Sequence, residues 1–163
     1  MGIELKVGCF EDAAAVRRAV FMDEQGYEDE FEPLDDDSRC LHVTLYIDGA
    51  LAACGRTFPE ELERAFTPGK PQSPACALDE VAGPGETYIL GRVAVLPAWR
   101  RRGLATRITQ ACEDAARDAG AKLMKLHAQE YVQGLYDAMG YEAIAPVDVE
   151  DEGQPHRWMA RVL

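Results

Sequence analysis

Apolar and polar positions alternate along some stretches of the chain and recur at helical spacing along others. Ile3, Leu5 and Val7 alternate with polar neighbours and predict a first strand. From Glu11 to Gln25, Ala13, Val16 and Val20 share one helical face, and Gly26 supplies a stop. Leu41, Val43, Leu45 and Ile47 alternate again. Asp48-Gly49 is a hairpin signal, and Ala50 to Phe58 reads as the returning strand. Tyr88 to Leu96 is a nearly continuous apolar run, interrupted by Gly91 and Arg92, as expected of a central strand. Leu104 to Ala119 is the clearest helix. Leu104, Ile108, Ala111, Cys112, Ala115 and Ala119 line one face, and Gly120 stands just past its end. Lys122 to Ala128 predicts a strand, and Gln129 to Met139 a helix ended by Gly140. Tyr141 to Ala145 and Arg157 to Val162 read as closing strands around an acidic turn, Asp148 to Gly153.

This order predicts an α/β protein with a mixed sheet flanked by helices. Pro59 to Glu86 interrupts it. The segment holds Pro59, Pro68, Pro71, Pro74 and Pro84 with Gly69, Gly83 and Gly85. Beyond two helical turns over Glu60 to Phe66 it reads as a long surface loop. The pieces on either side are too small to fold alone, so residues 59–87 are expected to be an insertion in a single domain spanning 1–163.

Charge and cysteine content narrow the class. The net charge of −12 disfavours nucleic acid as a partner. The acidity is uneven: Asp23 to Asp37 carries nine carboxylates and no basic residue, whereas Arg100 to Arg107 carries four arginines and no acid. Five widely spaced cysteines without a C-x-x-C pair suit small buried hydrophobes, not a disulfide framework or a zinc site. The three histidines lack metal-ligand spacing, so no metal is expected. No apolar run of 18 residues occurs, no leader pattern opens the chain, and a cytoplasmic protein away from membranes is the expectation.

The candidate chemistry lies in Val93-Ala94-Val95-Leu96-Pro97-Ala98-Trp99-Arg100-Arg101-Arg102-Gly103-Leu104-Ala105. A strand ends, a short loop follows, and a long helix begins at its positive end. Three arginines beside that end repel it unless an anion binds there. A pyrophosphate resolves the conflict, and Gly103 lets backbone approach closely. The bland alternative is a solvated basic turn. Neither G-x-G-x-x-G nor G-x-x-x-x-G-K-[ST] is present.

Arg100, Gly103 and Ala105 fit [QR]-x-x-G-x-[GA], and the stretch resembles the acetyl-CoA signature of GNAT N-acetyltransferases. Downstream, Gln129 stands where that family often has Asn. Leu135-Tyr136-Asp137-Ala138-Met139-Gly140-Tyr141 is similar to its F-Y-x-x-x-G-[FY]. Further segments resemble an ElaA- or YjcF-like subgroup: Glu24-Gln25-Gly26, Glu30, Glu32, Asp35, Cys40, His42, Gly91-Arg92-Val93, Leu126-His127-Ala128-Gln129 and Gly153-x-Pro155-His156-x-x-Met159. The resemblance implies a GNAT fold: a mostly antiparallel sheet of six to seven strands with about four helices. It implies acetyl-CoA as cosubstrate, held by Val93, Ala94 and Val95 along pantetheine, by Arg100, Arg101, Arg102, Gly103, Leu104, Ala105 and Thr106 around pyrophosphate, and by Gln129. The strand at Gly91–Leu96 is implied to carry a bulge, and Tyr136 to be the general acid. At helical spacing with Val132 and Met139, Tyr136 is also a plausible core residue.

Acetyl transfer to a primary amine needs the amine neutral. Glu24, Glu30, Glu32, His42 and His156 are the candidate bases, with Glu24 first because it lies where the first helix meets the acidic loop. Arg92, Glu30, His42 and His156 are the candidate acceptor-binding residues. Arg92 either binds a substrate carboxylate or pairs with the acidic loop. His127, on an apolar strand, reads as a core histidine. The acidic segment favours a small cationic amine as substrate. The alternative function is a non-catalytic acyl-CoA-binding or regulatory domain. Family members often form homodimers, and nothing in this sequence requires one.

Overall fold

The computed structural model describes residues 2–163. Eight strands form one sheet: β1 (Ile3–Val7), β2 (Leu41–Ile47), β3 (Ala50–Pro59), β4 (Thr87–Val95), β5 (Leu123–Gln129), β6 (Glu142–Ala143), β7 (Asp148–Asp151) and β8 (Gln154–Val162). Their order is β1-β2-β3-β4-β5-β8-β6, with β7 beside β8. Among the described residues only the β4–β5 pair is parallel. The sheet exceeds the expected six to seven strands because the acidic turn is itself half a hairpin. Asp148–Asp151 pairs with β8, and Glu152 (φ 55°) and Gly153 (φ 69°) make the tight connection. Two successive positive φ values are what a type I′ hairpin turn needs.

Among the described residues four α-helices flank the sheet: α1 (Phe10–Arg17), α2 (Glu61–Phe66), α3 (Leu104–Asp118) and α4 (Gln133–Ala138). The helix predicted over 11–25 changes character midway. Residues 18–24 form a π-helix, closed by a 3.1 Å bond from the Gln25 N–H to the Val20 carbonyl. Such widened turns occur often at functional sites, and this one supplies Val20, Phe21 and Glu24 to the cleft described below.

On one face of the sheet, Leu104, Ile108, Cys112 and Ala116 of α3 pack on Val43, Leu45, Leu90, Met124 and Leu126. Ala116 is buried, whereas Ala119, predicted on that face, is exposed where the helix ends. On the other face α1 packs on Cys54 and Ala94. The proline-rich segment is no loose loop. Its Leu62 joins Leu34, Phe58, Ile89 and Trp158 in a second apolar cluster. Lys125, only 1% exposed, reaches across to Glu60 (3.2 Å), Asp79 (2.8 Å) and the Pro74 carbonyl (2.8 Å).

Two irregularities open the centre of the sheet. Cys54 faces Ala94 and Arg56 faces Gly91, so Gly55 alone opposes Arg92 and Val93. That extra residue is a β-bulge, and Arg92 takes the left-handed φ of 53° that it imposes. β4 and β5 then pair only from Thr87–Leu123 to Leu90–Leu126. Beyond that point they part, although β4 runs on to Val95 and β5 to Gln129.

Candidate active site

The parting of β4 and β5 opens a cleft of about 690 Å³. At one end lie Val93, Ala94 and Val95 of β4, with Arg101, Gly103, Leu104, Ala105 and Thr106 at the start of α3. Gly103, at φ 74°, is the N-cap of α3. No side chain bonds to the cap, and the first turn holds no acidic residue. The amides of that turn therefore have no intrahelical acceptor, and the helix dipole adds positive potential. Tyr136 of α4 and Gln129 of β5 also line the cleft.

Tyr136 serves the core and the cleft together. It is 6% exposed and meets Tyr141 edge-on at 5.7 Å. Burial raises its hydroxyl above the ordinary phenol range. The hydroxyl therefore stays protonated at neutral pH. Gln129 spans the cleft mouth, its Nε2 lying 3.3 Å from both the Gln25 Oε1 and the Tyr27 hydroxyl.

The other end is bounded by the acidic loop, the β7–β8 hairpin and the 59–86 segment. A buried ion network forms its wall. Arg17 bonds Glu30 (2.7 Å) and Asp35 (2.9 Å). Arg56 bonds Asp35 (2.8 Å) and Glu32 (2.9 Å), and Arg92 bonds Glu30 (2.9 Å). Three guanidinium groups thus meet three carboxylates, the balance that burial demands. Burial would raise the Asp35 carboxyl, but hydrogen bonds from Arg17 and the charge of Arg56 hold it well below the usual range.

Several expectations from the sequence are corrected here. Glu24 does not stand free as a base: Arg100 grips both its oxygens at 2.7 and 2.6 Å. That hydrogen bond lowers the Glu24 carboxyl, the wrong direction for accepting a proton near neutrality. Arg100, so engaged and also bonded to the Val95 carbonyl at 3.0 Å, lines the cleft without a free guanidinium. Arg102 is not among the lining residues; it stacks on Trp99 at 4.9 Å. His42 is also outside the cleft, with its Nε2 against the Asp35 carbonyl (2.9 Å) and its ring edge-on to Phe10. Glu30 lines the cleft but is committed to Arg17 and Arg92, so Arg92 takes the loop-pairing role. His156 lines the acceptor end. His127, expected in the core, lines it too and bonds Asp148.

Sequence reasoning missed Arg17, Arg56 and Glu63. Arg17 lies on a helical face that otherwise reads as alanine and valine, which is a faint signal. Glu63 lines the cleft from α2, 7% exposed, and burial pushes it up to about 7 while the Ser73 N–H, at 3.2 Å, pulls against that.

A mixed sheet that opens between two parallel strands in front of an uncapped helix is the frame of an acyltransferase of the GNAT class. Residues 7–141 match the acetyltransferase (GNAT) family, and the chain belongs to it. It is an acetyltransferase of that family, and thus an enzyme of acyl transfer. The uncharacterised N-acetyltransferase YjcF of Bacillus subtilis is 28% identical over 153 residues, which cover 93% of this chain and 91% of YjcF. An acyl-CoA N-acyltransferase from Pseudomonas aeruginosa has the same fold, with a TM-score of 0.76 at 19% identity over 99% of this chain and 100% of that one. Escherichia coli ElaA gives 0.69 at 21% over 98% and 99%. No helix among the described residues is long and apolar enough to cross a membrane.

Proposed function

We propose that this chain, as one domain with an insertion at 59–87, moves the acetyl group of acetyl-CoA to the primary amine of a small cationic molecule. The observation that carries the reading is the uncapped α3 N-terminus facing the cleft where β4 leaves β5. Acetyl-CoA brings an activated thioester and a pyrophosphate. The pyrophosphate suits the free amides of Leu104, Ala105 and Thr106 and the guanidinium of Arg101. Past Leu90 the backbone of β4 has no β5 partner, which leaves Val93 to Val95 able to bond a pantetheine arm. Tyr136, held protonated by burial, acts as the general acid toward the leaving sulfur. A backbone N–H of β4 beside the bulge supplies an oxyanion donor.

The acceptor's charge follows from a count. Seven carboxylates and five cationic side chains line the cleft. Ion pairing occupies Glu24, Glu30 and Glu32, and Arg56, Arg92 and Arg100. Asp29, Asp151 and Glu152, with Glu63 partly protonated near neutrality, then face only Lys70 and Arg101. A cation is favoured at the end away from α3.

Calorimetric titration with acetyl-CoA and CoA tests the cosubstrate half. Wild type should bind both, and the pair Arg101→Glu and Gly103→Asp, which sets carboxylates at the helix end, should bind neither. Unchanged binding in the variant would remove the site from this location. Faster acetylation of anionic than cationic amines would overturn the acceptor class.

A further inference from the structure

One cluster in the cleft enters the acetyl-transfer reading only through the charge of Asp151. His127 (β5), His156 (β8), and Asp148 and Asp151 (β7) meet at the acceptor end. The two imidazoles stack with centroids 4.6 Å apart and planes at 25°, and His127 stacks in turn on Trp158 at 4.7 Å.

The two rings hold their protons differently. His156 Nδ1 lies 2.9 Å from the Gln154 carbonyl. A carbonyl only accepts, so Nδ1 carries hydrogen and the Nε2 of the neutral ring is a bare lone pair. That Nε2 lies 3.9 Å from the Asp151 carboxylate and belongs to a cleft-lining ring. His127 Nε2 lies 3.0 and 2.9 Å from the two Asp148 oxygens, so it donates. The set His127, Asp151 and His156 also has metal-ligand proximity, with ligand atoms within 4.8 Å. His127 Nε2 is already engaged by Asp148, which leaves only Asp151 and the His156 Nε2 of that set uncommitted. Proton transfer fits this geometry and ion binding does not.

We propose that His156 is the catalytic base of this enzyme, that Asp151 anchors the incoming ammonium beside it, and that His127 with Asp148 is a positioning pair that fixes the His156 ring by stacking. This rests on the acetyl-transfer reading. The titratable groups beside His156 are His127 from β5 and Asp148 and Asp151 from β7, and Glu152, Tyr27 and Arg92 line the same cleft. His156 Nε2 gains the proton that the ammonium loses. The freed nitrogen lone pair forms the N–C bond as the thioester C–S bond breaks. Tyr136 gives a proton to sulfur, one of the two protons left on nitrogen replaces it, and the imidazolium returns its own to water.

The test combines two readouts. Thiol release from acetyl-CoA is followed against pH with 1,5-diaminopentane and spermidine, in wild type, His156→Gln, Asp151→Asn and His127→Phe, after acetyl-CoA affinity is confirmed by calorimetry. His156→Gln should lose about 100-fold or more in kcat/KM and lose the acidic limb of the wild-type profile, so that rate follows the free amine alone. Asp151→Asn should raise KM and spare kcat, and His127→Phe, which keeps the stack, should lose less than His156→Gln. Independently of turnover, 15N NMR should find neutral His156 protonated at Nδ1, with its Nε2 resonance moving when 1,5-diaminopentane is added. An unchanged profile in His156→Gln, an Nε2-protonated His156, an unresponsive resonance, or turnover that requires added Zn²⁺ would overturn the proposal. If wild type binds no acetyl-CoA, the cosubstrate reading fails and the base role falls with it, and the NMR result then decides only the His156 tautomer and its contact with the amine.

Discussion

Asp35 is joined to Arg17 and Arg56 by hydrogen bonds of 2.8 to 3.1 Å, deep under the acidic loop. Asp35→Asn leaves three guanidinium groups with two carboxylates and should cost about 3–5 kcal/mol in urea denaturation. Because the folded carboxyl is held below its unfolded value, its contribution is present above about pH 4 and is lost as pH falls through the depressed pKa. The variant should therefore show less acid-induced loss than wild type. Glu63 has the opposite sign. Its folded pKa of about 7 lies above the ordinary 4.5, so the folded state holds a proton that the unfolded chain has released. Its presence costs stability as pH rises from about 4.5 to 7. Glu63→Gln should gain on the order of 1–3 kcal/mol at pH 8 relative to pH 4.5, read from denaturation midpoints across that range. Tyr136→Phe should lower kcat by at least about 100-fold while acetyl-CoA affinity in calorimetry stays within a few-fold. A large fall in affinity would make Tyr136 a binding residue. The motif around Gly140 made Tyr136 a candidate in the sequence, and the fold brings it to the cleft. Glu63 was not legible, because nothing in residues 60–66 shows that the segment folds back over the cleft.

At the scale of elements, β3 and α3 approach so closely that Gly55 has no room for a side chain. A Cβ there would meet Cys112 Sγ at 2.7 Å. Gly55→Ala should destabilise by about 1–3 kcal/mol, and Cys112→Ala should restore part of that loss in the double variant. Additive losses would mean that the strand moves instead of the thiol. The periodicity predicted β2, β3, β4, α3 and β5 to within a residue or two, since each has a buried face that its own sequence repeats. It missed β7, whose residues Asp148 to Asp151 carry little apolar signal and exist as a strand through pairing with β8. It also missed the π-helical turns after Arg17. There the i, i+3, i+4 pattern still reads as an α-helix, and the wider turn shows only in the backbone bonds.

At the scale of the molecule, the cleft joins the π-helical turns after α1, the acidic loop, the 59–86 segment, β4, α3, β5 and the β7–β8 hairpin, so a ligand that fills it ties together elements distant in sequence. Acetyl-CoA at 100 times its Kd should add about 2.7 kcal/mol and raise Tm by roughly 5–10 °C. CoA should act in the same direction, and no shift with either would contradict the proposed site. The order of elements, the strand–loop–helix segment of residues 93–106 and the Tyr136 motif are local in sequence, and the chain by itself determined them. Local periodicity and turn chemistry report each backbone's preferred state and the groups it presents. The partners of charged side chains are a different matter. Only the tertiary structure decided that Glu24 would face Arg100, that His42 would lie behind the cleft, and that Lys125 would anchor the insertion. It likewise decided that His127 and His156 would stack at the acceptor end. Those contacts join residues up to 76 positions apart. Sheet order and register bring them together, and a charged residue's own neighbours in sequence carry no record of which distant group will meet it.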